Sequence, residues 1–105
     1  MSTAFIPLEE ASQLYEGYRR VFKVGDLDLL LLRHRGRDYL VDNICPHAGY
    51  PLHEGKIIDG ALRCPMHGYL FELESGICTV SFEGPCRALN VFPLEQQGGM
   101  LGTRL

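Results

Sequence analysis

Apolar residues along this chain come in short runs, not at the three-and-four spacing of a helix. Glycine, proline and acidic residues cut the runs at close intervals, as in strands joined by tight turns. Candidate strands are residues 18–24, 27–33, 38–41, 56–58, 61–64, 70–73, 78–82, 88–94 and 100–104. The longest apolar run, Leu29-Leu30-Leu31-Leu32, is only a strand's length. Turn signals lie between the runs: Gly25-Asp26, Arg35-Gly36, Asp59-Gly60, Glu74-Ser75-Gly76 and Gly98-Gly99. Asp59-Gly60 and Gly98-Gly99 have the composition of two-residue hairpin turns. Only residues 8–14 could make a helical turn or two, with Pro7 at the start, where its missing N–H does no harm. The pattern predicts an all-β fold of many short strands.

Two segments break the pattern. Residues 42–55 and 64–68 bring Cys, His and Pro together. They are too polar for core strands and too rich in ligand-type side chains for idle loops. The first contains Cys45-Pro46-His47 and the second Cys64-Pro65-Met66-His67-Gly68, with sixteen residues between His47 and Cys64. Each segment thus offers one thiolate and one imidazole. Proline stiffens a loop by fixing its own φ, and Gly68 permits a sharp turn after His67.

Three chemistries fit such a set. Buried thiols beside solvated histidines is the first, since cysteine is often a small core residue. A structural zinc ion is the second, because zinc takes two Cys and two His tetrahedrally. A 2Fe–2S cluster with two Cys on one iron and two His on the other is the third. Zinc-finger spacing usually puts both cysteines in one knuckle and both histidines in another. Here the types are mixed, which suits a cluster whose two irons are each reached from both loops.

Composition narrows the class. A chain of 105 residues is one domain's worth, and 46% apolar content is ordinary for a globular protein. A domain of this size buries roughly 65% of its unfolded surface, so a metal centre would add useful stability. The net charge is −3 with Lys and Arg scattered, which offers no basic face for nucleic acid or an anionic membrane. No stretch approaches the ~20 apolar residues of a membrane span. The start, Met1 to Pro7, has no basic region and soon meets Glu9-Glu10, so it does not look like a secretory signal. A cytoplasmic protein is expected, where four cysteines read as ligands or buried thiols, not as disulfides.

The two segments resemble the cluster-binding loops of Rieske proteins. The resemblance rests on residues 45–55, Cys-Pro-His-Ala-Gly-Tyr-Pro-Leu-His-Glu-Gly, and 64–71, Cys-Pro-Met-His-Gly-Tyr-Leu-Phe. Supporting matches run from Tyr39 through Ile44, over Glu72 to Gly76, and near Pro93-Leu94-Glu95. The resemblance implies stacked antiparallel sheets over residues 1–105 as one domain, with a small cluster-binding subdomain at about 43–86. It implies that Cys45 and Cys64 hold an inner iron and that His47 and His67 hold an outer iron near the surface. Gly84-Pro85 matches a proline-containing loop that shields the cluster from a third side. The implied cofactor is one Rieske-type 2Fe–2S cluster.

Within the family, the branch in cytochrome bc complexes carries an extra cysteine in each loop. Those positions are Tyr50 and Met66 here, so that disulfide cannot form. The same branch places Ser and Tyr where this chain has Tyr69 and Phe71, and those hydroxyls donate hydrogen bonds that raise the potential. Their loss predicts the lower end of the range known for such centres, about −150 to +300 mV. The resemblance therefore implies a carrier between a flavin-dependent NAD(P)H reductase and a terminal oxygenase such as an aromatic-ring hydroxylase. It implies a monomer and an electron-transfer component, not an enzyme by itself. Competing assignments are the small subunit of a larger redox enzyme such as nitrite reductase, and a zinc-stabilised interaction domain.

Other residues have simpler expected roles. Tyr50, Pro51, Leu52, Met66 and Tyr69 are expected to form an apolar docking rim around the histidines. Cys78 and Cys86 are expected to be buried free thiols, His34 to lie at the surface, and His53 to be an ordinary loop residue.

Overall fold

A computed structural model describes residues 4–105; Met1 to Thr3, part of the start judged above not to be a signal, lie outside the described residues. Eleven strands form three antiparallel sheets. The central sheet takes β2 (Arg19–Val24), β3 (Leu27–His34), β4 (Arg37–Asp42) and β9 (Val91–Phe92) in that order. A second holds β5 (Ile57–Ile58), β6 (Ala61–Arg63), β7 (Leu70–Glu72) and β8 (Cys78–Val80) in sequence order. The third joins the chain ends, in the order β1 (Ile6–Glu10), β11 (Met100–Thr103), β10 (Glu95–Gln97). No helix among the described residues is long and apolar enough to cross a membrane.

Local chemistry sets the hairpins. Asp59 and Gly60 have φ of 49° and 79°, and Gly98 and Gly99 have 55° and 85°. Two successive positive φ values give the turn whose twist suits a tight hairpin. They fold β5 onto β6 and β10 onto β11.

The run of four leucines has a tertiary cause. Leu29, Leu30, Leu31 and Leu32 are all fully buried because β3 is covered on both faces. Leu30 and Leu32 face one core with Val41, Leu62, Phe71 and Leu73. Leu29 and Leu31 face another with Leu14, Tyr18, Leu40 and Leu101. Each fully buried leucine contributes roughly 1.5–3 kcal/mol. The first core also takes in Cys45 and Cys64, so the base of the two loops lies inside it.

The structure corrects the ends of the chain. Residues 8–14 do not make an α-helical turn; β1 runs to Glu10 and one 3-10 turn follows at Ala11–Gln13. Pairing with β11, from Ile6 opposite Thr103 to Glu10 opposite Met100, satisfies that backbone instead. Pro7 is tolerated because β1 is an edge strand with a register shift between Pro7 and Glu9. The expected strand 88–94 shrinks to Val91–Phe92, because the Leu89 N–H is drawn to Gly76 O at 2.7 Å.

Carboxylates tie the outer turns. Glu16 accepts the N–H groups of Arg35 at 2.6 Å and Gly36 at 3.0 Å, which hold its carboxyl below the usual glutamate range. Glu9 accepts the Tyr18 hydroxyl at 2.8 Å and is lowered for the same reason. Burial, then that bond, push the Tyr18 phenol up to about 12. Glu95 is lowered by Arg104 at 2.6 Å. These three groups bind fewer protons folded than unfolded, so their stabilisation is present above the usual carboxylate range and is lost as pH falls through the folded values. The urea midpoint is therefore expected to drop on acidification below about pH 4, and Glu16→Gln to shrink that drop. An identical pH profile in the variant would remove Glu16 from this account.

Candidate metal centre

The two Cys–His loops are built on one turn. In the loop after β4, the Cys45 N–H donates to Tyr50 O at 2.9 Å and the Gly49 N–H to Cys45 O at 2.8 Å. In the loop after β6, the Cys64 N–H donates to Tyr69 O at 2.8 Å and the Gly68 N–H to Cys64 O at 3.0 Å. Gly49 and Gly68 both take positive φ, 66° and 77°. Both stretches read Cys-Pro-x-x-Gly-Tyr, a repeat visible in the sequence that the spacing of Cys and His alone does not bring out. The histidine sits two residues after Cys45 in one turn and three after Cys64 in the other. The shared turn thus presents its imidazole from two different steps.

The four side chains come together in two pairs. Cys45 and Cys64 are buried in the same core, close enough for each thiol to influence the other. Burial pushes the Cys45 thiol up, the N–H groups of Ala48 and His47 pull it back down, and the Cys64 thiol adds to the rise. Those N–H groups favour a thiolate, the form that binds metal. The His47 and His67 rings meet edge to face with centroids 5.2 Å apart. His67 is exposed, while His47 is partly covered.

His47 is held firmly. Its ring stacks on Tyr69 with centroids 4.1 Å apart and planes 10° apart. Tyr69 accepts the Glu83 N–H at 3.0 Å and meets the Phe82 ring at 5.7 Å. The loop after β8, which contains Gly84 and Pro85, therefore reaches the site through Phe82 and Glu83. Glu83 Oε2 lies 3.9 Å from His47 Nε2. The other nitrogen, Nδ1, is buried with no hydrogen-bond partner. A buried polar atom left unpaired costs free energy, and a metal ligated at Nδ1 would satisfy it. Two thiols together and two imidazoles together suit two metals.

Further contacts brace the first loop. Asn43 Oδ1 accepts the Leu52 N–H at 3.2 Å, and its Nδ2 lies 3.1 Å from His53 Nδ1. Arg19 donates to the carbonyls of His53 and Gly55. A Cβ on Gly55 would lie 2.1 Å from Arg63 O, so the first loop touches the end of β6 through this glycine. Gly55→Ala is expected to push β6 away and cost about 1–3 kcal/mol, with loss of metal retention. Thermal melts and iron analysis check this; wild-type values in both would refute it.

The rim is smaller than expected. Tyr50, Pro51 and Met66 are exposed, but Leu52 and Tyr69 are buried and belong to the core beneath. His34 also departs from its expected surface place: it is half-buried, with Nε2 enclosed and unpaired. His53 is an exposed loop residue, and Cys78 and Cys86 are half-buried free thiols.

The family model of the Rieske [2Fe-2S] domain matches residues 4–93. The chain belongs to the Rieske family. The Rieske chain is 35% identical over 102 residues to the ferredoxin component of the alkene monooxygenase system of Xanthobacter autotrophicus, covering 94% of this chain and 81% of that protein. It is 31% identical to ferredoxin CarAc of Metapseudomonas resinovorans, covering 94% of this chain and 92% of that one. It also superposes on a chain from a solved complex of reduced oxygenase and oxidized ferredoxin in carbazole 1,9a-dioxygenase. There the TM-score is 0.79 at 25% identity, over 95% of this chain and 92% of that one. The cofactor of a Rieske domain is one 2Fe–2S cluster, and the paired thiols, paired imidazoles and orphaned Nδ1 fit it.

Proposed function

We propose that this Rieske chain is a one-electron carrier, a ferredoxin that takes electrons from a flavin-dependent NAD(P)H reductase and delivers them to a terminal oxygenase such as an aromatic-ring hydroxylase. Cys45 and Cys64 hold the inner iron, and His47 and His67 hold the outer iron. The observation that carries this reading is the pair of matched turns, which bury two thiols together and bring two imidazoles together at the surface end. When bound, the cluster supplies a one-electron couple. The chain's own work is to bind it, set its potential and expose one edge.

Residue chemistry supports the finer points. The N–H groups of His47 and Ala48 serve the Cys45 sulfur. Phe71 has no hydroxyl to donate to a cluster sulfur, which agrees with a low potential. Exposed Tyr50, Pro51 and Met66 beside exposed His67 form a small apolar rim suited to brief redox encounters. Similarity to the ferredoxin components of an alkene monooxygenase system and a carbazole dioxygenase supports the oxygenase as acceptor. Residues 1–105 act as one domain, with 43–86 as its cluster-binding part, in a cytoplasmic monomer. Catalysis resides in the partner oxygenase.

The test is an electron paramagnetic resonance spectrum of dithionite-reduced protein with metal analysis of the same sample. A rhombic signal of low average g with about two irons per chain is expected of mixed Cys/His ligation. A colourless, silent sample holding zinc would end the carrier assignment.

A further inference from the structure

Two cysteines remain outside the cluster loops. Cys78 opens β8, and Cys86 follows the loop that leaves it. Their segments are brought side by side by the returning chain. The Leu89 N–H donates to Gly76 O at 2.7 Å, and a Cβ on Gly76 would lie 2.0 Å from Leu89 O. Cys78 is two residues after Gly76, and Cys86 is three before Leu89, so both lie close to this contact and pack against the same core. A disulfide needs its two Cα atoms roughly 4.4–6.8 Å apart, and the backbone contact between Gly76 and Leu89 draws the two segments together. The Cys78 thiol donates to Val80 O at 3.4 Å and the Cys86 thiol to Arg87 O at 3.5 Å, and both side chains pack against the core that holds Cys45 and Cys64. Both are half-buried, so a small reagent can reach them.

The stretch between them covers the cluster site. It carries Phe82, whose ring meets Tyr69, and Glu83, whose N–H is bonded to the Tyr69 hydroxyl and whose carboxylate lies 3.9 Å from His47 Nε2. Residues 81–86 form no strand, and Phe82 and Glu83 reach the site through Tyr69 and His47.

We propose that Cys78 and Cys86 are a redox-active dithiol that closes to an intramolecular disulfide when it meets a low-molecular-weight disulfide, pinning residues 81–86 over the His47 side of the site. The Cys86 thiol loses its proton and attacks the reagent's S–S bond. A mixed disulfide forms and one reagent thiol leaves. Cys78 then loses its proton and attacks the Cys86 sulfur, and the second reagent thiol leaves. The two cysteines give up two protons and two electrons, and the reagent is reduced to two thiols. The bridge closes over minutes to hours, as uncatalysed exchange does.

The experiment uses the holoprotein and oxidised glutathione. After incubation the protein is denatured in acid and alkylated with N-ethylmaleimide, and its intact mass is measured. Two alkylations, on Cys45 and Cys64, in place of four are expected, with no retained glutathione and a peptide linking Cys78 to Cys86. Cys78→Ser is expected to keep one glutathione on Cys86. In the bridged form, amide exchange over residues 81–86 slows several-fold while cluster absorbance persists. Four alkylations, a stable glutathione adduct on the wild type, or a bridge between any other cysteines would overturn the proposal. It does not depend on the carrier assignment, because a colourless protein that forms this bridge still supports it.

Discussion

Protein carrying Cys64→Ala is expected to be colourless and to hold almost no iron, against about two irons per chain in the wild type. Cys64 is fully buried and its thiol faces that of Cys45, so no exposed side chain can take its place. The loss reaches beyond colour, because metal binding is coupled to folding and is worth about 10 kcal/mol in small metal-dependent domains. It falls unevenly. Cys45 and Cys64 belong to the core shared with Leu62, Phe71 and Leu73. The other core, with Leu14, Tyr18 and Leu101, does not touch them. Amide exchange in the variant is therefore expected to rise first over β5 to β8, while β2 and β3 stay protected longest. A coloured variant with its full iron would remove Cys64 from the ligand set.

His67→Cys is expected to keep a cluster and lower its midpoint potential by on the order of 100 mV or more, toward the roughly −400 mV of all-cysteine plant-type centres. A thiolate adds one negative charge where a neutral imidazole stood, so adding an electron becomes harder. His67 is the better position for this test. It is exposed, whereas His47 is stacked on Tyr69 and faces Glu83, so replacing His47 would also disturb its neighbours. A dye-mediated redox titration at neutral pH reads the shift. An unchanged potential with the cluster retained would mean that His67 is not a ligand.

The parts of this protein that could be read from the sequence are those governed by local chemistry. The β2–β3–β4 meander follows from apolar runs broken at Gly25-Asp26 and Arg35-Gly36. Asp59-Gly60 and Gly98-Gly99 fold as hairpin turns because glycine, lacking a Cβ, and aspartate both accept positive φ. The Cys–His segments stand out because few other roles suit those residues together. What the sequence hides is decided by distant partners. β10, Glu-Gln-Gln, has no apolar signal and becomes a strand only by pairing with β11. β1 was open to a helical reading until Thr103 and Met100 supplied its partners. Leu52 and Tyr69 lie next to ligand-type residues in the chain, so they read as rim. Loops have no alternation to show which side chains turn inward, and both turn into the core.

The unequal cover of the two imidazoles has a kinetic consequence. His47 is stacked on Tyr69 and flanked by Glu83, and of the two imidazoles His67 is the exposed one. A carrier with one doorway cannot be served from two sides at once. Donor and acceptor must take turns, so the chain has to leave one before it meets the other. In a reconstituted system, a large excess of either partner will slow the flow by occupying the door. Throughput then rewards weak, short-lived visits, and tightening the grip of either partner lowers it.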